Sequence, residues 1–266
     1  MKNFDTKKYP IFAGFLNKLA KDLTKFYHTA LNKPFKISNK MKGKGYDPVT
    51  TSDRAFEKFI RSKISKKFPN HQIIGEEYGH KNTISEYSWV IDPIDGTRSY
   101  ISGHKDFGTL IALLKNNEPI IGIINCPAHK ERWVGLKDQP TKLNNKIIST
   151  SKKKLISKSY AYSSGLYFDN QKFRKGFEKV TKKSAYYRMG GDCYMYGMLA
   201  SGLIDIVIED TLKVHDYMAL IPVIQGAGGV ISDKNNKSIK IDSDGSLVAS
   251  ANKNIHKQVI EILKNI

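Results

Sequence analysis

Apolar residues near the start of the chain recur every three to four positions, which is the period of one face of an α-helix. The residues that follow this spacing are Phe12, Phe15, Leu16, Leu19, Leu23, Phe26 and Tyr27. We predict a helix over residues 8–31, which Lys33-Pro34 ends because a residue before proline avoids helical geometry. A second helix is predicted over 52–67, where the polar side chains of residues 50–53 supply capping oxygens. Asp53 therefore lies at a helix N-terminus.

Short runs rich in β-branched and aromatic residues follow, and they predict strands. In the first half these strands cover 72–74, 88–91, 109–114, 120–125 and 132–136, which indicates helices on a mainly antiparallel sheet. After the lysine-rich stretch 137–158, strands alternate with helices. The strands are predicted at 159–163, near Arg188, at 204–209 and at 229–232, and the helices at 171–180, 194–201, 217–225 and from Lys253 onward. We place the division between an α+β half, 1–145, and an α/β half, 146–266.

The formal net charge of +19 raises the question of a polyanionic partner. The surplus is nearly all lysine spread along the chain, whereas base readout and bidentate phosphate contacts favour arginine. We therefore expect a solvated lysine-rich surface and no dedicated nucleic-acid partner.

The apolar pattern also bears on location. No apolar run approaches the ~20 residues that cross a bilayer, and the residues after Met1 do not form the apolar core of a secretory signal. Cys126 and Cys193 are far apart in the chain and have no Cys-x-x-Cys spacing, so we expect packing residues. These observations predict a cytoplasmic protein with no membrane partner.

The segment Trp89-Val90-Ile91-Asp92-Pro93-Ile94-Asp95-Gly96-Thr97 carries the first candidate chemistry. An apolar strand ends in an acid, and a second acid follows three positions later. We expect a helix-like turn that brings both carboxylates to one side, where they and a backbone carbonyl suit a hard cation such as Mg²⁺. Gly96 and Thr97 then offer backbone N–H groups and a hydroxyl that can bind a phosphate.

Other acids extend this pattern, but each has a simpler alternative. The Asp-x-x-Asp-Gly segment alone equally fits a capped surface turn. Glu76 and Glu77 end another apolar strand, where a carboxylate is usually just solvated. Asp216 begins an apolar helix, so by itself it is better explained as an N-cap. The combination of all these segments is what favours a shared site.

Four segments occur in a fixed order along the chain: Gly75-Glu76-Glu77, then Asp92-Pro93-Ile94-Asp95-Gly96-Thr97, then His215-Asp216, then Gly226-Ala227-Gly228-Gly229. With this ordered set the chain resembles the inositol monophosphatase family of metal-dependent phosphatases. The resemblance spans about residues 8–249. It implies the layered αβαβα sandwich of inositol monophosphatase and fructose-1,6-bisphosphatase. One departure is His215, at a position where the family commonly has tryptophan.

The resemblance also implies roles for individual residues. Two or three Mg²⁺ ions would be bound by Glu76, Asp92, the Ile94 carbonyl, Asp95 and Asp216. Phosphate would be held by Gly96 and Thr97, and Asp53 would pair with Thr97 to orient a water, with Glu76 also in the catalytic set. The first half would then carry most metal and phosphate ligands, and the second half the last metal ligand and the specificity residues.

Two further segments are similar to the histidinol-phosphate phosphatase branch of this superfamily. They are Thr97-Arg98 and the run Gly190-Gly191-Asp192-Cys193-Tyr194, which has the pattern Gly-x-Asp-Cys-Tyr. Histidinol phosphate carries an ammonium group and an imidazole, which the Asp192 carboxylate can pair. The alternative is that Asp192 only caps the helix predicted from Tyr194. Glu209 resembles a substrate-contact position of the family, and Arg188 is a weaker candidate that would balance the acids.

We therefore expect a Mg²⁺-dependent phosphomonoesterase that acts on a small phosphorylated metabolite. Histidinol phosphate, from histidine biosynthesis, is the expected substrate. Inositol 1-phosphate is the first alternative, and a nucleotide 3′,5′-bisphosphate is the second. The family resemblance further implies a homodimer.

Overall fold

The computed structural model describes residues 9–31, 34–42 and 46–265. Its eight helices within these ranges are α1 (Tyr9–Leu31), α2 (Thr51–Lys67), α3 (Thr97–Ile101), α4 (Gln171–Lys183), α5 (Asp192–Ala200), α6 (Val214–Tyr217), α7 (Leu220–Gly226) and α8 (Lys253–Lys264). A 3₁₀ turn spans Ile156–Lys158. The predicted start of the first helix, residue 8, and Lys33 lie outside the described residues.

Three sheets accompany these helices. The strands are β1 (Ile37–Asn39), β2 (Pro48–Thr50), β3 (Gln72–Gly75), β4 (Gly79–Lys81), β5 (Tyr87–Asp95), β6 (Gly108–Lys115), β7 (Glu118–Cys126), β8 (Glu131–Leu136), β9 (Lys142–Leu143), β10 (Lys146–Ile147), β11 (Tyr160–Ser163), β12 (Tyr186–Met189), β13 (Ile206–Glu209), β14 (Val230–Ser232) and β15 (Leu247–Ser250). β1 and β2 form a small hairpin. The large sheet has the order β10-β9-β8-β7-β6-β5-β3-β4, and the third sheet the order β12-β11-β13-β15-β14.

The large sheet is antiparallel except where β3 runs parallel to β5. Successive residues of its central strands enter different cores because side chains alternate across a strand. On β6, Leu110, Ala112 and Leu114 face one core, and Ile111 and Leu113 face another. α1 and α2 cover the second core, and α5 and α7 cover the first.

The third sheet repeats this arrangement from the other side. Val207 of β13 packs into the core shared with α5 and α7, whereas Ile206 and Ile208 face a core under α4 and α8. The layers are therefore helices, sheet, helices, sheet, helices. This confirms the expected αβαβα sandwich, with α5, α6 and α7 in the middle. The division at residues 145 and 146 stays a prediction.

The predicted elements in the apolar stretches are confirmed to within a few residues, with some exceptions. The helix predicted over 217–225 is two helices, because Pro222 has no N–H to bond the Met218 carbonyl. The interior strand β15 was not predicted. The same is true of the short helices and strands α3, α6, β1, β2, β4, β9 and β10. No helix of the described residues is long and apolar enough to span a membrane.

Candidate active site

The two acids of the first motif are brought together by a β-bulge. β5 continues to Asp95, so the expected helix-like turn after Asp92 is wrong. Asp92 pairs with Leu110 and Asp95 pairs with Gly108. Between these pairs β5 advances by three residues and β6 by two, so β5 contains one extra residue. The extra residue restores the side-chain direction that alternation would otherwise reverse, and both carboxylates face the same side.

Glu76 joins these acids because β3 lies beside β5. Gly75 pairs with Ile91, and the Glu76 N–H donates to the Ile91 carbonyl at 3.3 Å. The turn after β3 is held by Glu57, a fully buried residue of α2 whose carboxylate accepts from the Glu77 N–H at 2.6 Å. A side chain at Gly75 would overlap Glu57, so glycine is needed for this close approach.

Asp216 comes from the far half of the chain. It lies in the first turn of α6, where Oδ2 accepts from the Lys213 N–H at 2.7 Å. The N-cap of α6 is Lys213, so the alternative of Asp216 as the N-cap is wrong, although the carboxylate does accept from the backbone of that cap. It also forms an acidic cluster with Asp92 and Asp95, whose ligand atoms lie within 4.8 Å of one another. One side chain serves both purposes.

The acidic cluster fits a bound cation. Asp92 is 2% exposed, and its Oδ1 has no hydrogen-bond partner among the described residues. Burial, and then the carboxylates of Glu76 and Asp95, raise the pKa of Asp92 well above its usual value. Burial and the nearby Asp192 and Asp216 likewise raise the pKa of Asp95 well above its usual value. So many carboxylates at short range repel one another unless a cation lies between them.

Glu76 behaves differently because the basic side chains of Lys40 and His215 lie beside it. Burial raises the pKa of Glu76, but His215 and Lys40 outweigh burial and lower it. Lys40 Nζ lies 2.6 Å from Glu76 Oε1 and also pairs with Glu77. Lys40 directly follows β1 in the chain, and nothing in the surrounding polar sequence predicted this contact.

The predicted water-orienting pair is assembled in the structure. Thr97 Oγ1 lies 3.1 Å from Asp53 Oδ1 and 3.0 Å from the Ile94 carbonyl oxygen. Asp53 is the third residue of α2, and its Oδ2 accepts from the Thr50 N–H at 2.7 Å in a capping box. The cap thus fixes one oxygen of Asp53 and leaves the other for Thr97. Burial raises the pKa of Asp53.

Gly96 connects the motif to Asp192. Its φ of 83° lies in the left-handed region, and a Cβ there would lie 2.9 Å from the Asp192 carboxylate carbon. Asp192 Oδ2 accepts from the Ser99 hydroxyl at 2.5 Å. The helix α5 begins at Asp192 itself and its N-cap is Gly191, so the alternative of Asp192 as a side-chain cap finds no support. Burial raises the pKa of Asp192.

Glu209 ends β13 and is 5% exposed. Tyr196 Oη donates to its Oε2 at 2.5 Å, and the Ser164 hydroxyl donates to Oε1. Burial raises the pKa of Glu209 to about 7 in spite of these donors. Three residues that were not predicted, Ser99, Ser164 and Tyr196, orient the two predicted acids. Hydroxyl residues carry no signal of their own in the sequence.

A cavity of about 530 Å³ joins these groups. Its acidic lining residues are Asp47, Glu76, Asp92, Asp95, Asp192, Glu209, Asp210 and Asp216. The lysines and arginines that line it within the described ranges are Arg98 and Lys213. The cavity is therefore acidic in a chain of net charge +19, so it attracts cations that the outer surface repels.

Arg188 is the one predicted site residue that lies apart. It is exposed on the edge strand β12 and is not among the residues that line the cavity. The position of β12 at the sheet edge places its side chain away from the cavity. Burial and Tyr186 raise the pKa of Tyr162, and the charge of Arg188 offsets only part of that rise. In this chain the structure does not bring Arg188 to the acids that it was expected to balance.

The fold and this acid-lined cavity define a phosphatase of the αβαβα class. A model of the inositol monophosphatase family matches residues 12–266, so the chain belongs to that family. A bifunctional phosphatase of Arabidopsis thaliana, IMPL2, described as chloroplastic, is 39% identical over 262 residues, covering 95% of this chain and 75% of the relative.

Two further relatives are similar over most of their length. A histidinol-phosphatase of Chlorobaculum parvum is 31% identical over 219 residues, covering 82% of this chain and 84% of the relative. A solved structure of an inositol monophosphatase from Zymomonas mobilis matches with a TM-score of 0.83 and 31% identity. That match covers 96% of this chain and 98% of the solved one.

Proposed function

We propose that this phosphatase is a Mg²⁺-dependent histidinol-phosphate phosphatase. The observation that carries the substrate assignment is a pair of carboxylates, the half-buried Asp192 and the buried Glu209, in the wall of the same cavity as the proposed metal-binding acids. Inositol 1-phosphate has an uncharged alcohol portion, whereas histidinol phosphate has an ammonium group that a buried carboxylate can pair. A histidinol-phosphatase among the relatives supports the same choice.

The metal site would consist of Glu76, Asp92, Asp95, Asp216 and the Ile94 carbonyl. The partnerless Oδ1 of buried Asp92 and the chemistry of an all-oxygen acidic set fit a hard divalent cation. Two or three Mg²⁺ ions, when bound, would neutralise the phosphate and lower the pKa of a bound water.

The remaining chemistry belongs to residues of the chain. Thr97 and Asp53 would accept hydrogen bonds from a water and aim it at phosphorus in line with the leaving alcohol, with Glu76 beside them. Backbone N–H groups of Gly96 and Thr97, at the start of α3, would hold the phosphate oxygens. No covalent phosphoenzyme is required in this scheme.

Substrate positioning would come from the opposite wall. Ser99 holds Asp192 and Tyr196 with Ser164 holds Glu209, so each carboxylate has a defined orientation before substrate binds. Fixed acceptors of this kind strengthen the binding of a cationic substrate and weaken the binding of a substrate that leaves them unpaired. Inositol 1-phosphate remains the second candidate, because inositol monophosphatases are among the similar solved structures.

The test is phosphate release with Mg²⁺ from three substrates, namely L-histidinol phosphate, inositol 1-phosphate and adenosine 3′,5′-bisphosphate. We expect the highest kcat/KM for L-histidinol phosphate, and higher activity with Mg²⁺ than after chelation. A preference for inositol 1-phosphate would overturn the substrate assignment and leave the phosphatase assignment intact.

A further inference from the structure

His215 lies in the wall of the metal-binding cluster. It precedes Asp216 in the short helix α6, and its side chain is only 11% exposed. Its Nε2 atom lies 3.4 Å from Asp216 Oδ1 and 4.0 Å from Glu76 Oε1. The imidazole nitrogen thus faces two carboxylates to which the proposed function assigns metal binding.

These distances are too long for strong hydrogen bonds and suit ligands of one ion. A hydrogen bond between a ring nitrogen and a carboxylate oxygen usually measures about 2.7–3.2 Å. Ligand atoms that each lie about 2.1 Å from the same ion stand roughly 3–4 Å apart. His215 Nε2 stands at such separations from both neighbouring carboxylates.

A second observation points to the same place. Glu76, Asp92 and His215 offer ligand atoms that lie within 4.8 Å of one another, beside the cluster of Asp92, Asp95 and Asp216. Asp92 belongs to both clusters, and its buried Oδ1 has no hydrogen-bond partner in the described part of the chain. Asp92 Oδ1, an acceptor without a donor, therefore lies between two candidate metal sites. One has only oxygen ligands, and the other includes the nitrogen of His215.

We propose that His215 Nε2 is a metal ligand in this chain, at a site completed by Glu76 and Asp92. The family commonly has tryptophan at this position, and the N–H of an indole ring offers no lone pair to a metal. Imidazole suits first-row transition metals better than it suits Mg²⁺. With its nitrogen ligand the site therefore favours transition metal ions over Mg²⁺ more than the neighbouring all-oxygen cluster does, and Mn²⁺, which also accepts carboxylate ligands, is the probe. This inference rests on the proposed metal centre.

The test uses Mn²⁺ alone, added below one equivalent to the full-length protein after chelation. Pulsed electron paramagnetic resonance detects a nitrogen bound directly to Mn²⁺ through its nuclear modulation. We expect a modulation that changes when the protein is produced with ¹⁵N-histidine. It should be present in wild type and in a His80→Asn control, which alters an exposed histidine of β4, and absent in His215→Phe.

Equilibrium binding gives an independent readout that needs no substrate. His215→Phe should weaken Mn²⁺ binding by at least about tenfold and change Mg²⁺ binding far less, since the lost ligand favours the transition metal. His215→Gln, which keeps a polar side chain, replaces His215→Phe if the latter does not melt cooperatively.

Each outcome bears on a different claim. Mn²⁺ bound without histidine modulation, or with modulation that survives His215→Phe, would show that His215 is not a ligand and would leave the proposed metal centre standing. Equal weakening of Mn²⁺ and Mg²⁺ would contradict the metal preference. Failure of the wild type to bind either cation would overturn the metal centre together with this inference.

Discussion

The hydroxyl of Thr97 lies 3.1 Å from Oδ1 of Asp53, across 44 positions of sequence. A hydroxyl has one proton to donate, and the Ile94 carbonyl at 3.0 Å competes for it. A metal held by that carbonyl, as in the proposed metal centre, would leave Asp53 as the better acceptor. The lone pairs of Thr97 would then be free to hold a water, which is how the pair would orient the nucleophile.

Thr97→Val tests this pair, because valine keeps the shape and removes the hydroxyl. We expect kcat to fall by about 10²- to 10⁴-fold, the usual contribution of a positioned acid or base, with little change in KM. Thr141→Val is a matched control, since the buried Thr141 hydroxyl donates to the Val223 carbonyl at 2.7 Å outside the cavity. An equal loss of kcat in the control would remove the special role of Thr97.

Asp95→Asn tests the metal centre. We expect activity to collapse and calorimetry to show Mg²⁺ binding weakened by at least about tenfold, the lower limit for loss of an outer-sphere partner. Without metal, the melting temperature of the variant should not fall. Asparagine can still accept the hydrogen bond from the Cys193 N–H, which is 2.6 Å long in wild type, and its neutral side chain no longer repels the neighbouring carboxylates. Asp244→Asn, at an acid paired with Lys234 outside the cavity, should bind Mg²⁺ normally.

Lys40→Met tests whether this ammonium competes with the metal at Glu76. Two unit charges 4 Å apart interact by roughly 4 kcal/mol at an effective dielectric constant of 20. Removing the ammonium of Lys40 would remove part of its repulsion of a bound Mg²⁺, and this change should be measurable. We expect Mg²⁺ to bind about tenfold more tightly to the variant, and the metal-free variant to melt at a lower temperature. Weaker Mg²⁺ binding would mean that Lys40 assists the metal instead.

Asp192→Asn tests substrate choice. Asp192 has a φ of 39°, which asparagine tolerates better than alanine does, so the backbone should be kept while the charge is lost. We expect kcat/KM for L-histidinol phosphate to fall by the equivalent of about 1.5–3 kcal/mol, and far less for an uncharged phosphomonoester. Equal losses for both substrates would assign Asp192 to support of the fold or the metals.

His256 predicts a pH dependence of stability that is separate from catalysis. Burial lowers the pKa of His256 to about 4, and its ring nitrogens bond to Ser232, Ser250 and Asn236. The unfolded chain, with an ordinary pKa near about 6.5, binds a proton that the folded protein does not. Stability from this group is therefore full above about pH 6.5 and falls by about 3 kcal/mol as pH drops toward 4.

Urea unfolding of wild type and His256→Gln between pH 7 and pH 4 measures this effect. The variant should be less stable at pH 7 and show a shallower loss of stability on acidification. Parallel curves for the two proteins would show that folding does not shift the pKa of His256, so that His256 contributes nothing to the slope.

The sequence determined the parts of the site that are local. Asp53 at the start of α2, Glu76 after β3 and Asp92 at the apolar strand β5 follow from patterns within ten or so residues, and the order of the motifs matched a family that the comparison confirms. Helix capping and strand alternation depend on residues that are close in the sequence, so both patterns can be recognised without knowing the tertiary contacts.

Only the tertiary structure decided which distant groups meet. The bulge between Asp92 and Asp95 depends on pairing with β6, and the ion pair of Lys40 with Glu76 joins elements whose contact no local pattern encodes. The same holds for His215, because the sequence shows its departure from the family's usual tryptophan but not its position beside Glu76. The physical reason is that strand register and layer packing bring these side chains together across long separations, and both are set by the burial of the whole core rather than by any one segment.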